Sequence, residues 1–574
     1  MSYSSRQSPL YRQPSSFFKR SQTVKAKFFL PGVAIAFSTS LALPAFAAQT
    51  VDLTILGTTD VHGNVFPTNY FDNKEINMGL AKLGTLIKHY RKENKNTLLV
   101  DSGDALQGSQ LIYYANKYAP KKKNPLISAM NVLEYDAFAL GNHEFNFGLQ
   151  ALGKARSEAK FPFLSANIFL NGTQKPAFQP YLIKEIGGVK VGIIAFSPPG
   201  IALWDRANVE GKLEFRDILK SAALYLPELR RKSDVVVALV HAGLGGKYGP
   251  AYEGYSASTG LPPENVGEEL AKKFPIDVML LGHTHQDYPQ EMIGQAVAAQ
   301  ALKWGERIAV VKLKLEKKEK GWKILSKESK TEPTVGIRSD FEVVKATQEM
   351  HQSTQKYIRS AIAETSEGWA AKSADLEDTA IVDLVNEVQR EVTKADLSAA
   401  SIFNSTLTLP KGKISLSQIA ALYPYENSLT AVRITGKQLK EYLECSACYY
   451  NSYSPGGEAV NPKMRAYNYD MVAGVDYSID PRKPEGQRIS GLLFKGKPVS
   501  EEQTFTLAVN SYRQQGGGGY EMLKGAPVVY NKEEGIRELL LDSLKKKGRI
   551  EQGDVFRKNW QLLVPLDRDS RKFL

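Results

Sequence analysis

Short apolar runs rich in β-branched side chains recur through the first half of the chain, at residues 51–58, 97–101, 137–140, 189–196, 235–240 and 278–281. Each is bounded by Gly, Asp, Asn or His, the pattern of buried strands that stop at turns. Between them lie stretches with helical spacing of apolar positions, at 79–93, 151–160 and 217–231. Strands alternating with helices imply an α/β domain built in layers, expected over 51–335. Residues 340–367 read as one polar helix without a strand signal, a natural linker. A second α/β region follows over 370–565, with strands expected at 428–434 and 503–510 and helices between.

The first fifty residues differ in character. They contain no Asp or Glu and carry Arg6, Arg12, Lys19, Arg20, Lys25 and Lys27, followed by an apolar run over 28–43 and then Ala45-Phe46-Ala47. A basic segment, an apolar segment and a small-x-small site form a secretory signal peptide, expected over 1–47. An uncleaved anchor is disfavoured because the run is short and broken by Pro31, Gly32, Ser38 and Ser40. Export is therefore expected, periplasmic or extracellular, with no stable membrane association after cleavage.

Those six cations account for much of the net charge of +13 and leave +7 for the remainder. The remaining charges are scattered among acids, and a duplex-binding stripe is not expected. The only cysteines, Cys445 and Cys448, fall late in a helical pattern after Glu441-Tyr442-Leu443-Glu444. That placement suits a structural role, bridged or free, better than redox catalysis.

Of seven histidines, five stand directly beyond a strand pattern: His62, His143, His241, His283 and His285. The clusters read Asp60-Val61-His62, Gly103-Asp104, Gly141-Asn142-His143-Glu144, His241, and Gly282-His283-Thr284-His285. Ligand sites in open α/β sheets form outside the carboxyl ends of strands, so these residues should converge. Imidazole and carboxylate donors without thiolates suit Mn, Fe, Co or Zn. Asp-x-His at an extended strand end would place both side chains on one side, and so would His283 and His285. Asp104, after its glycine turn, is the natural bridge between two cations; a pair about 3.5–4 Å apart can hold a hydroxide and clamp a phosphate.

This run of motifs resembles the calcineurin-like metallophosphoesterase signature. With the C-terminal region the chain is similar to the exported 5′-nucleotidase family, and within it to the periplasmic 2′,3′-cyclic-nucleotide 2′-phosphodiesterase/3′-nucleotidases. The similarity rests on residues 141–149 (GNHEFNFGL), Pro198-Pro199 with Trp204-Asp205, and residues 443–447 (LECSA), 467–480 (YNYDMVAGVDYSID) and 510–513 (NSYR). It implies a four-layer αββα N-terminal domain, a linker helix, and a second α/β domain of 5′-nucleotidase type. It also implies two divalent ions, one held by Asp60, His62, Asp104 and His285, the other by Asp104, Asn142, His241 and His283. His143 would face the phosphate as a catalytic group. Related 5′-nucleotidases orient this histidine with an Asp three residues on; here that position is Asn146, which fixes the ring without lending it charge.

The resemblance further implies a nucleobase held between Tyr425 and Tyr512, with Asn427 on a base edge. The segment 399–413 has no Arg and the loop 516–519 is all Gly, departures that disfavour a 5′-nucleotidase and leave Arg513 as a replacement cation. The expected activity is hydrolysis of nucleoside 2′,3′-cyclic phosphates to 3′-nucleotides, then of 3′-nucleotides to nucleoside and phosphate, by a hydroxide activated between two metals. The alternatives are a 5′-nucleotidase or nucleotide-sugar hydrolase, and a non-catalytic nucleotide- or surface-binding protein.

Overall fold

A computed structural model describes residues 49–574 except Asp72, residues 252–258 and Glu426. The expected signal peptide, 1–47, lies outside the described residues.

Two six-stranded mixed sheets form the first half. In the first, the order is Trp322–Pro333, Arg307–Lys317, Thr50–Thr58, Thr97–Asp101, Ala137–Ala139 and Phe163–Leu164. In the second it is Asp287–Ile293, Ala296–Ala301, Val278–Leu281, Val235–Val240, Val189–Phe196 and Tyr181–Ile186. The central pairs of both sheets are parallel. Parallel strands buried on both faces need continuous apolar sequence, and every residue of Val235–Val240 is buried. Alternate side chains divide between the faces. Ile55, Val100, Val237 and Leu280 meet in a core between the sheets. Leu56, Leu99 and Phe138 pack under helices on one outer face, and Val236, Val240 and Leu281 on the other. The result is the four-layer αββα arrangement.

The two sheets are stitched at the carboxyl ends of their strands. Ser102 Oγ donates to the Leu280 carbonyl at 3.1 Å, and Ser197 Oγ to that of Leu140 at 2.6 Å. All the strand-end clusters therefore open on the same side.

The polar helix expected over 340–367 is shorter, Phe341–Ile358. Asp340 caps it by accepting from the Glu342 and Val343 N–H groups. Its buried stripe, Val343, Thr347, His351, Thr354 and Ile358, follows helical spacing. The remainder, Ala361–Thr365, is a strand paired with Gly412–Ser415, because Ala361-Ile362-Ala363 supplies a pairing edge that the polarity of the segment concealed. Beyond it a five-stranded sheet runs in the order Asp470–Ala473, Leu397–Ser401, Thr504–Asn510, Ser428–Thr435 and Val528–Gly535. It packs on the helices Ala380–Thr393, Gly436–Ala447 and Ile536–Lys547 around a separate core. Cys445 and Cys448, at the end of Gly436–Ala447, are free thiols, and burial pushes Cys445 up to about 11. Among the described residues no helix is long and apolar enough to cross a membrane.

Candidate active site

Six of the seven residues expected to ligate metal fall into close groups. Asp60, His62 and His285 bring ligand atoms within 4.8 Å of one another, and so do Asp104, His241 and His283. His62, Asp104 and His143 form a third such group, which puts Asp104 at the junction.

Backbone conformation, more than strand pleating, aims these side chains. The strands end at Thr58 and Leu281, short of the ligands, so the expected extended Asp-x-His geometry is not what the chain adopts. Asp60, His62, Asp104, His283 and His285 instead have φ values of 50°, 48°, 60°, 69° and 53°. Each left-handed residue costs about 1 kcal/mol or more, and such residues persist only where surrounding bonds over-determine them. Here the Asp60 N–H donates to the Gly103 carbonyl and the His62 N–H to the Asp104 carbonyl, both at 2.9 Å, and the His283 N–H to Asp60 Oδ1 at 3.0 Å. Gly141 is required by contact: a Cβ there would lie 2.3 Å from Asp104 Oδ1 and 2.7 Å from His241.

Protonation states follow from the outer partners. His241 Nδ1 is 2.8 Å from the Ser102 carbonyl and His62 Nδ1 is 3.1 Å from that of Gln107. A carbonyl only accepts, so both Nδ1 atoms carry hydrogen and both Nε2 lone pairs face inward. His241 Nε2 then lies 2.9 Å from Asp104 Oδ2, and His62 Nε2 3.1 Å from His285 Nε2. Two acceptors at such distances need a proton or a cation between them. Without a cation, burial opposes a charge on His241, but Asp104 outweighs it and pushes the imidazole up to about 10. Burial and the neighbouring His143 push His62 down to about 4. Asn142 Oδ1 and His283 Nε2 are buried with no hydrogen-bond partner. Orphaned acceptors converging beside a carboxylate are what a divalent cation would satisfy.

Three residues whose part the motifs did not disclose complete the site. Glu144, 2% exposed, accepts from the N–H groups of Asp104, Ala105, Leu106 and Gly141 at 2.7–3.1 Å, so it shapes the turn that carries Asp104. Its place in Gly-Asn-His-Glu was visible in the sequence. Trp204 stacks on His283 at 5.6 Å between ring centroids. Asp205, buried, accepts from Asn146 Nδ2 at 2.9 and 3.1 Å, while Asn146 Oδ1 lies 2.6 Å from His143 Nδ1. Burial raises the Asp205 carboxyl, and the Asn146 amide and the His143 ring draw it back. The carboxylate that Asn146 lacks is thus supplied from behind, 59 positions away, where no local spacing announces it.

His143 opens on a cleft of about 490 Å³, lined on its side by Asn142, Asn146 and Trp204, and on the other by Ser428, Ser511, Lys532 and Arg537. Tyr425 and Asn427 precede Ser428, and Tyr512 follows Ser511. Because Leu429 pairs with Asn510 in the antiparallel ladder, both tyrosines sit at the same end of the same strand pair. Each is 46% exposed, so neither is core packing. Phe403 stands edge-on to Tyr425 at 5.0 Å, and Gly517 lies so close to the Tyr512 ring that a Cβ would sit 2.4 Å from it. Asn427 is half-buried, and its carbonyl accepts from the Ile536 N–H.

Arg513 does not meet the cleft. It is 1% exposed, and its guanidinium donates to both Asp470 oxygens, to Asn468 Oδ1 and to the Tyr467 and Gly517 carbonyls. All five N–H groups are engaged, so the expectation that Arg513 replaces a phosphate-binding cation is corrected: it ties down the loop that carries Tyr512. The cations bordering the cleft are Lys532 and Arg537.

Two family models match the chain: calcineurin-like phosphoesterase over residues 53–287, and 5′-nucleotidase, C-terminal domain, over 361–525. A 2′,3′-cyclic-nucleotide 2′-phosphodiesterase/3′-nucleotidase of Haemophilus influenzae is 31% identical, the alignment covering 94% of this chain and 91% of that protein. The trifunctional nucleotide phosphoesterase protein YfkN of Bacillus subtilis is 34% identical over 90% of this chain, which spans only 39% of that longer protein. The crystal structure of a candidate 5′-nucleotidase from Staphylococcus aureus, 25% identical, superposes with a TM-score of 0.69, covering 89% of this chain and 100% of that one. The chain belongs to the family that joins a calcineurin-like phosphoesterase domain to a 5′-nucleotidase C-terminal domain.

Proposed function

We propose that the protein hydrolyses nucleoside 2′,3′-cyclic phosphates to 3′-nucleotides and then 3′-nucleotides to nucleoside and phosphate. The observation that carries this reading is the convergence of imidazole and carboxylate ligand atoms on Asp104, in a chain similar over nearly its whole length to the Haemophilus enzyme of that name. Asp60, His62, Asp104 and His285 would hold one divalent ion, and Asp104, Asn142, His241 and His283 a second. Such a pair supplies Lewis acidity, lowering the pKa of water and neutralising charge on phosphoryl oxygens.

The chain's own groups do the rest. His143 lines the cleft with its ring held at Nδ1; as an imidazolium it delivers the Nε2 proton to the departing ribose oxygen, O2′ in the first step and O3′ in the second, and the proton shed by the attacking water restores it. Water contributes the new P–O bond, and one P–O bond breaks in each step. Tyr425 and Tyr512 stack the base, a sequence-tolerant contact, and Asn427 meets its edge. Lys532, exposed on the C-terminal side of the cleft, draws the anionic substrate toward His143. The leader over 1–47 directs the protein out of the cytoplasm.

Purified protein supplied with Mn²⁺ or Co²⁺ should release phosphate from 3′-AMP and open 2′,3′-cyclic AMP in preference to 5′-AMP. Phosphate released from 5′-AMP alone would overturn the reading.

A further inference from the structure

Asn146 stands between an imidazole and a buried carboxylate, and the order of donors and acceptors along that line has one solution. Asp205 lies between the short helices Ile201–Trp204 and Arg206–Val209 and is 3% exposed. Both its oxygens are within 3.1 Å of Asn146 Nδ2, and Oδ1 is also 3.5 Å from Asn208 Nδ2. A carboxylate offers only acceptors, so the Asn146 amide must turn its NH₂ toward Asp205 and its oxygen toward His143. That oxygen, 2.6 Å from Nδ1, can only accept, so the hydrogen of the neutral ring stays on Nδ1. Nε2 is left as the atom that exchanges a proton with the cleft.

We infer that Asp205 is a positioning residue for His143, acting through Asn146. It locks the amide, and the amide locks the tautomer and direction of the imidazole. The inference deepens the proposed phosphoesterase reading and rests on it. The same geometry accounts for an amide at position 146. A carboxylate there would set anionic oxygens about 3 Å from those of Asp205, a pair that cannot both ionise without a large penalty. Amide and carboxylate form a matched set whose order along the line can be exchanged but whose composition cannot.

The test uses the full metal-loaded protein and the variants D205N, N146D and N146D/D205N. In D205N the second amide can present either end, so the lock is released, and kcat should fall about 10–100-fold, as for other partners that orient an active-site histidine, with KM little changed. N146D should fall comparably because two carboxylates then face each other. The double variant restores one amide and one carboxylate in exchanged order and should recover about tenfold over either single change. Loss in D205N should be smaller on a nitrophenyl phosphoester, whose leaving group departs without a proton. Long-range ¹H–¹⁵N spectra of the metal-free protein, with H143N for assignment, should show hydrogen on Nδ1 of His143 in the wild type and a tautomer mixture in D205N.

The inference is overturned if D205N keeps wild-type kcat, if the double variant is no better than N146D, or if the losses are equal on both leaving groups and track a falling metal content. Should the wild type cleave no nucleotide while D205N still scrambles the tautomer, the positioning role stands and the nucleotide reading fails.

Discussion

Glu144→Gln isolates the part of the site that the protein must build before any metal arrives. Oε1 of Glu144 accepts from Ala105 and Leu106, and Oε2 from Asp104 and Gly141. Glutamine keeps the shape but replaces one oxygen with an NH₂ group, which then faces two N–H donors. Each buried donor left without an acceptor costs about 1–3 kcal/mol, so two cost about 2–6 kcal/mol, in a turn that also holds Asp104 at φ 60°. At roughly 2–4 °C per kcal/mol for a large domain, the melting temperature of the metal-free protein should fall by about 4–24 °C. The displaced Asp104 turn should also weaken both halves of the metal cluster at once. Differential scanning calorimetry on chelated protein gives the first quantity, and metal analysis after dialysis gives the second. A variant that melts within a degree of the wild type and keeps its full complement of ions would refute this role for Glu144.

Two histidines shape the pH stability of the metal-free protein in opposite ways. His62, pushed down to about 4, contributes stability that is lost as pH falls from about 6.5 toward 4; His241, pushed up to about 10, contributes stability present below about 6.5 and lost as pH rises toward 10. Chelated protein should therefore be most stable near pH 6.5, and saturating divalent ion should abolish the alkaline loss because the cation replaces the His241 proton; an alkaline loss that persists in the metal-loaded protein would contradict this. Tyr425→Ala and Tyr512→Ala should each raise KM by about 5–150-fold, the range of about 1–3 kcal/mol per stacked base, with kcat nearly unchanged, and steady-state kinetics on 3′-AMP checks it. Arg513→Ala strands the buried Asp470 carboxylate and should cost about 3–5 kcal/mol of stability, seen in chemical denaturation; an unaltered denaturation midpoint with a raised KM would return Arg513 to the substrate.

The layered fold was legible because parallel strands buried on both faces are written as uninterrupted apolar runs, as in Val235–Val240. The candidate metal site was legible because each expected ligand stands beyond such a run. What aims the ligands was not: Asp60, His62 and His285 owe their direction to left-handed backbone, which depends on hydrogen bonds from turns far away in sequence. The linker helix ends earlier than the polarity of the segment suggests, since a short strand looks like polar helix until Gly412–Ser415 pairs with it. Arg513 illustrates the other limit. A cation in a loop beside Tyr512 reads as a ligand contact, and only the position of Asp470, some forty residues upstream, shows that its charge is already satisfied. Asp205 follows Trp204 in a recognisable motif, yet it reaches His143 through a second side chain that spacing alone does not connect to it.

The central claim is that the carboxyl ends of two sheets build a divalent metal centre that cleaves ribose phosphates. Binding and turnover measured on one sample test it most directly: chelated protein titrated with Mn²⁺, with bound metal counted and 2′,3′-cyclic AMP hydrolysis followed in parallel. The expected result is two equivalents bound and turnover rising with them, both lost in His241→Ala. Full turnover in the chelated protein, or a titration in which no divalent ion binds, would contradict it.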